Sequence, residues 1–487
     1  MTQPLPPHDA QSPTQSWGTV PGQGPGAATQ GFGPAPQPFG APPTGDGGPP
    51  PGGSRTGGRR KGLLIALAVL LVAGAGTGGW LLWGKGDQKA APKPKPTRSV
   101  DAKLDWMVPM PSPDKDHADR VAPLWFAKGN VVMNTKKTVT AYSVATGKPS
   151  WTVPVPGFAC TRSPDPDGGV AVIVYGKAEF ECDKLMAVDI ERGRQLWTKD
   201  MVNAQGNKDM RGNANIAISH GLVNVAEVGE ALVYDAKSGA KRKAKNYGCM
   251  ERGTAVKGDR QLTLAQCEIF GRQFVMNVDP KTGVEKWTWK VMDGIEVHNV
   301  LSADPPVLAV GRENDNSPSD IVTLDGKGRL KALISISAGP YHFEECRKGV
   351  LKSCDRAVTD DKTVYLSTLS DETNQDGVSV TAIVAIDLAT GKKRWTAPLG
   401  ANRANRPVAM HDGRLLVYQM ATKDEGGKLL SLDPADGTPT VYMKLPQESA
   451  EREYSLARRG TAYFRDDHLY LVPEEGMSDP SMIMSFH

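Results

Sequence analysis

From about residue 120 onward, apolar positions come in short runs separated by turn-forming residues. GVAVIVYG from Gly169, GLVNVAEV from Gly221, TVYLSTLS from Thr363 and RLLVYQM from Arg414 alternate or are rich in Val, Leu and Tyr. That pattern predicts β-strands. Turn chemistry precedes most of them, at Lys128-Gly129-Asn130, Asp167-Gly168, His220-Gly221 and His411-Asp412-Gly413.

Each set of runs ends in a recurring stretch, clearest in AIDLATGKKRW, Ala385 to Trp395. AYSVATGKPSW (from Ala141), AVDIERGRQLW (from Ala187) and NVDPKTGVEKW (from Asn277) repeat it. Weaker copies are VYDAKSGAKRK from Val233, TLDGKGRLKA from Thr323 and SLDPADGTPT from Ser431. The motif glycines are Gly147, Gly193, Gly239, Gly283, Gly328, Gly391 and Gly437, spaced by 46, 46, 44, 45, 63 and 46 residues. A period near 45 residues indicates a propeller or a solenoid. Strand, turn, strand, strand, Asp-x-x-x-Gly turn and strand in each period make a four-stranded antiparallel blade, so a propeller is predicted.

The motif has a mechanical reading. Asp189, Asp279 and Asp387 can accept hydrogen bonds from turn amides. Gly193, Gly283 and Gly391 can take positive φ at little cost. Trp151, Trp197, Trp287 and Trp395 then present apolar faces to a neighbouring blade. Ser143 replaces the Asp in the first copy, where its hydroxyl would cap more weakly, and the fifth turn is one residue shorter, Asp325 to Gly328. At the start, LDWMVPM (Leu104 to Met110) resembles the Trp-bearing strands but has no strands before it. At the end, TAYFRDDHLYLVPEE and SMIMSFH supply three strands without a motif. The fragments complete one another, so eight blades are expected, closed by pairing the strand around Trp106 with residues 481–487. Closure removes the open edges of a linear array.

These copies resemble the pyrroloquinoline-quinone (PQQ) repeat, A-x-D-x-x-T-G-x-x-x-W, which Ala385, Asp387, Thr390, Gly391 and Trp395 match fully. The resemblance covers about 120–487 and implies an all-β propeller similar to quinoprotein alcohol dehydrogenases and to the scaffold of the outer-membrane barrel assembly machine. It also implies that the motif Trp residues dock blades and do not form the quinone site. Quinone enzymes of this kind use a calcium ion, acidic ligands, a catalytic Asp and commonly a vicinal disulfide. This chain has no Cys-Cys pair, and no calcium site can be assigned by motif.

The N-terminal region has a different pattern. Residues 1–61 form a Pro/Gly-rich tail; its first 60 residues hold 14 Pro and 14 Gly and are predicted to be disordered. Gly62 to Trp83 then runs 22 residues without a charge. At about 1.5 Å per residue such a run spans a bilayer core of roughly 30 Å. A single transmembrane helix is therefore expected at 62–83, followed by a Lys/Pro linker at 84–100 and the propeller at 101–487. A buried core helix or a cleaved signal peptide fits this context less well. Basic residues flank both ends of the span, so they do not orient it. The six cysteines do: Cys160 with Cys182, Cys249 with Cys267, and Cys346 with Cys354 suit three short-range disulfides in an oxidising compartment. Six buried free thiols would be the alternative. The expected topology is a cytoplasmic N-terminus and an extracytoplasmic propeller.

Charge and chemistry narrow the function. Residues 1–100 carry nine Lys/Arg against three Asp/Glu, and the whole chain is +4, which leaves 101–487 near −2. This excludes an electrostatic footprint for nucleic acid. The eight His residues are scattered, with no metal-binding spacing. His220 and His411, in hairpin turns, are expected to be solvent-exposed. GRENDNSPSD (from Gly311) lacks calcium-loop spacing and reads as a solvated loop. KRKAKNYG (from Lys241) reads as a solvated strand edge. The sixth period carries two insertions, YHFEECRKGVLKSC and SDETNQDG, which are candidate binding loops. No catalytic residue, cofactor or metal ligand is assigned. The expectation is a non-enzymatic scaffold or sensor for an unknown protein or cell-envelope ligand; the alternative is a PQQ- or metal-dependent oxidoreductase.

Overall fold

Strand Val170–Gly176 shows how the core is built, because every one of its residues is buried. Alternate side chains point to opposite sheet faces. Val170, Val172 and Val174 pack with Ile216, Val223 and Leu232 on one side. Ala171, Ile173 and Tyr175 pack with Trp125, Val132 and Val139 on the other. Each such face-to-face layer is an interface between two sheets, and burying a Val, Leu or Ile side chain there contributes about 1.5–3 kcal/mol. A strand buried on both faces reads as a continuous apolar run, as GVAVIVYG does.

The computed structural model describes residues 100–109, 124–178, 181–201, 214–227, 230–268, 271–313, 315, 317–336, 351, 357–368, 381–400, 403–458, 460–473 and 481–487. Their strands form eight four-stranded antiparallel sheets, the blades of a propeller. Blade 1 comprises Trp125–Ala127, Asn130–Asn134, Thr138–Ser143 and Pro149–Pro154, paired in chain order. Blades 2 to 7 follow the same order over 158–200, 215–242, 250–290, 295–335, 357–397 and 405–444. First strands of successive blades touch one another from blade 3 to blade 8, so the first strand is innermost and the fourth is the outer rim.

Blade 8 closes the ring as expected. Its order is Leu104–Pro109, Ser481–Phe486, His468–Pro473, Gly460–Arg465. Trp106 pairs with Ser485 and Met107 with Met484. Trp106, Val108, Tyr470 and Ile483 then join Val131, Met133 and Tyr142 of blade 1 in one apolar cluster.

Two disulfides join Cys160 to Cys182 and Cys249 to Cys267. Cys346 and Cys354 lie outside the described residues, as do the tail 1–61, the apolar span 62–83, the linker up to 99 and nearly all of both blade 6 insertions. Among the described residues no helix is long and apolar enough to cross a membrane.

A helix at Ala450–Arg458, not expected from the strand pattern, precedes blade 8 and packs Leu456 and Ala457 against it. It carries Glu453 into the interior, fully buried. Ser449 Oγ donates to Glu453 Oε1 at 2.5 Å and Gly427 N to Oε2 at 2.8 Å. Burial outweighs these bonds and pushes the carboxyl up to about 7. Burial raises the Glu251 carboxyl, on the first strand of blade 4, to about 7 as well. A raised carboxyl holds its proton in the folded state while the unfolded chain has released it, so stability falls as pH rises from the ordinary 4.5 toward 7. Glu453→Gln is expected to flatten this slope, raising the urea midpoint at pH 7.5 while changing it little at pH 5. An unchanged slope would assign the pH dependence elsewhere.

Candidate functional site

The turn of AIDLATGKKRW works as its residue types require. Asp387 Oδ1 accepts from Ala389 N at 3.0 Å, Thr390 N at 2.8 Å and Thr390 Oγ1 at 2.9 Å. The Thr390 hydroxyl first, then these amides, hold the Asp387 carboxyl below its ordinary range. Asp279 makes the same three kinds of bond with Lys281 and Thr282. Asp189 accepts from Arg192 N at 3.0 Å; burial pushes its carboxyl up, but the bonds from Arg192 bring it below the ordinary range. In the first copy Ser143 caps through its backbone carbonyl and not its hydroxyl, accepting from Gly147 N at 2.8 Å.

The motif glycine then receives the previous blade's Trp. Gly193 has φ +65° and an added Cβ would lie 2.2 Å from the Trp151 ring; at Gly147 the Trp106 ring would be 2.6 Å away. Trp197 covers Gly239, Trp287 covers Gly328 and Trp395 covers Gly437 in the same way. Three of these indoles also donate across the seam: Trp106 Nε1 to Val144 O at 2.7 Å, Trp197 Nε1 to Ala236 O at 2.9 Å and Trp395 Nε1 to Pro434 O at 2.9 Å. Each acceptor follows the motif Asp or Ser directly. Thus each Trp docks onto the next blade, and the motif is a seam between blades.

Blades 3, 5 and 7 lack the Trp, and blades 3 and 5 show how the seam is made without it. Blade 3 ends in a two-residue strand, Lys241–Arg242, and Tyr247 Oη donates to Gly283 O at 3.0 Å. KRKAKNYG is therefore a docking segment as well as an exposed edge. In blade 5, Ala332 and Ile334 approach Gly391 at ordinary contact distance.

Blade 5 also changes the rim. Trp151, Trp197, Trp287 and Trp395 are each followed by an exposed Thr, at 152, 198, 288 and 396. The register pairs Ala332 with Thr323 where Trp151 pairs with Ala141, so Leu333 occupies the Thr position. Leu333 is 52% exposed, and Leu330 on the same strand is exposed as well. A cleft of about 500 Å³ opens where the shortened turn Asp325–Gly328 meets blade 4, lined by Lys286, Trp287, Gly326, Lys327, Asp259 and Arg260. Trp287 Nε1 is buried there without a hydrogen-bond partner. The rim of blades 4 and 5 thus combines exposed apolar side chains, mixed charge and a concave wall. The signal for Leu333 lay in aligning the copies, where every full motif has Thr after Trp.

Leu351, from the first blade 6 insertion, is buried against first strands. Its amide donates to Asn215 Oδ1 at 2.8 Å in blade 3, its carbonyl accepts from Val300 N at 2.7 Å in blade 5, and its side chain lies beside Gly253 of blade 4. At this point the insertion is seated on its own propeller.

Two histidines depart from the solvent exposure expected of them. His220, at φ +51°, bonds Ser219 Oγ through Nδ1 at 2.8 Å and Asp259 Oδ1 through Nε2 at 2.7 Å. His411 packs edge-on against Tyr442 and Phe464. Neighbouring blades approach these turns closely, which the turn sequence alone does not show.

Comparison with solved structures finds similar chains at low identity. BamB from Moraxella catarrhalis is 17% identical, with a TM-score of 0.46 over 79% of this chain and 97% of that one. The dihydro-heme d1 dehydrogenase NirN in complex with DHE is 12% identical, with a TM-score of 0.44 over 70% of each chain. The WD40 domain of Neurospora crassa Pan2 is 12% identical, with a TM-score of 0.39 over 80% of this chain and 96% of that one. No curated protein sequence matches the chain. The PQQ-repeat profile described as outer membrane protein assembly factor BamB matches residues 78–266 and 380–478. With more than half of its length matched, the chain belongs to that PQQ-repeat propeller family.

Proposed function

We propose that the protein is a membrane-anchored, extracytoplasmic propeller that acts as a non-enzymatic scaffold for a protein partner. The observation that carries this reading is membership of a family described as an assembly factor. The repeat motif supports it, because its recurring Asp, Gly and Trp are consumed in turn capping and in docking blades. The uncharged 22-residue run Gly62 to Trp83 supports the anchor. The disulfides Cys160–Cys182 and Cys249–Cys267 support an oxidising compartment for the propeller.

The rim of blades 4 and 5 is the docking surface this reading favours. Leu333 stands exposed where blades 1, 2, 4 and 6 place Thr, on a fourth strand whose outer backbone edge faces away from the sheet. A photoreactive residue at 333, introduced in cells, is expected to capture a discrete protein that one at 198, the matching rim position on blade 2, does not capture. Equal capture from both positions would remove the rim assignment. Stoichiometric binding of PQQ with calcium by the purified protein, together with dye reduction, would replace the scaffold by an oxidoreductase.

A further inference from the structure

Asp105, His468 and His487 are far apart in the chain, yet the closure of blade 8 brings them together. Asp105 lies on the N-terminal strand Leu104–Pro109, His468 opens the strand His468–Pro473, and His487 follows the strand Ser481–Phe486. Leu104 and Leu469 both pair with Phe486, which fixes this alignment. One donor atom from each of the three side chains lies within 4.8 Å of the other two. His487 Nδ1 contacts Asp105 Oδ1, and His468 Nε2 is 3.8 Å from Asp105 Oδ2.

We propose that these three side chains bind a divalent transition-metal ion, zinc in particular, that clamps the ring at its closing seam. Two imidazoles and one carboxylate form a donor set that suits zinc better than magnesium or calcium. Zinc bonds of about 2.0–2.2 Å place tetrahedral donors roughly 3.3 Å apart; the His468–Asp105 pair reaches this by a small contraction, and the His487–Asp105 pair, now in direct contact, by opening to admit the ion. His487 is 55% exposed and has room to make that adjustment.

The outer shell is already arranged for an ion. The His468 Nδ1–H donates to Asp466 O at 2.8 Å, which leaves the Nε2 lone pair facing Asp105. A backbone carbonyl behind a ligating imidazole is the usual device for fixing tautomer and ring orientation. That carbonyl is held by a tight turn in which Asp466 and Asp467 have φ of 49° and 62°. Ser485 Oγ donates to Asp105 Oδ2 at 3.3 Å and orients the carboxylate. Tyr470 stacks on the His468 ring with planes 17° apart. The Asp105 side chain is only 10% exposed, and among the described residues its ion-pair partners are the two imidazoles, with no Lys or Arg. A carboxylate so placed is a strong attractor for a cation. Because the ligands come from both chain ends, the site exists only in the closed ring, and an ion bound there stabilises closure by mass action.

The test uses the purified full chain, stripped with chelator and titrated with zinc chloride by calorimetry, with thermal unfolding followed in parallel. A tight site is expected, with a rise in Tm at zinc concentrations well above Kd and with visible d–d bands of tetrahedral type when cobalt replaces zinc. His487→Gln, at an exposed position, and His468→Gln are each expected to weaken this site by at least about 100-fold, beyond the usual cost of losing an outer-shell partner. Both should also abolish the zinc-dependent rise in Tm. His220→Gln, which alters an unrelated imidazole–carboxylate pair, should leave the site intact. Unchanged zinc binding and Tm response in both ligand variants would overturn the proposal. An equal response to magnesium would overturn the assignment of ligand class.

Discussion

Trp106→Ala is expected to lower the unfolding free energy by about 4 kcal/mol, within the range for deleting a buried aromatic side chain. Trp106 is 8% exposed, and three losses coincide there. Its ring packs on Gly147 of blade 1, so its removal opens a cavity at the seam between blades 8 and 1. Its indole N–H donates to Val144 O at 2.7 Å, and that carbonyl loses its partner. Its strand is held within blade 8 on one side only, by Ser481–Phe486, so the seam and the bridge from Asp101 to Lys444 of blade 7 are its other attachments. Trp106→Phe retains most of the apolar contact and should cost about 1–2 kcal/mol, chiefly through the orphaned carbonyl. Urea unfolding followed by far-ultraviolet circular dichroism checks both variants. A loss below about 1 kcal/mol for the alanine variant, under the usual range for such deletions, would show that the closing strand is held without its Trp.

Gly193→Ala is expected to cost about 3 kcal/mol, and Gly129→Ala only about 1, although both glycines have nearly the same backbone conformation. Gly193 has φ +65° and Gly129 +68°, so each pays the left-handed penalty of about 1–2 kcal/mol that an L side chain incurs. Around Gly129 nothing lies within 4 Å of the added carbon. At Gly193 the new carbon meets the Trp151 ring at 2.2 Å, and a ring packed between blades must move. Overpacking of that kind adds about 1–3 kcal/mol. The difference between the two unfolding free energies isolates the docking contribution from the turn contribution. Equal losses would show that Gly193 matters only for its φ.

The propeller and its closure were legible because both rest on repetition. Seven motif glycines at a nearly fixed period specify the blades, and the three C-terminal strands lack the Trp-bearing strand found near residue 106. Features that break the repeat were harder to read. The helix Ala450–Arg458 buries Ala450, Tyr454, Leu456 and Ala457; the i, i+4, i+7 spacing of three of them covers only two turns and shares its face with the buried Glu453, so it did not stand out from the strand pattern. Tyr247 takes over a seam in place of Trp, and nothing in KRKAKNYG announces an aromatic that reaches the next blade. The rim position of Leu333 was present in the repeats but visible only once the register had aligned Ala332 with the Trp positions. The Asp105–His468–His487 cluster carried no local signal, since its spacing is set by strand pairing across the ends of the chain.

The closing seam also constrains how the chain is made. Asp105 and Ser485 meet across 380 positions. At synthesis rates of about 5–20 residues per second, roughly 20 to 80 seconds separate the emergence of the first strand from that of its partner. Through that interval the nascent chain carries an unpaired β edge at Leu104–Pro109, the kind of surface on which chains aggregate. Biogenesis, more than the finished ring, is therefore the stage at which this edge is open to unwanted pairing.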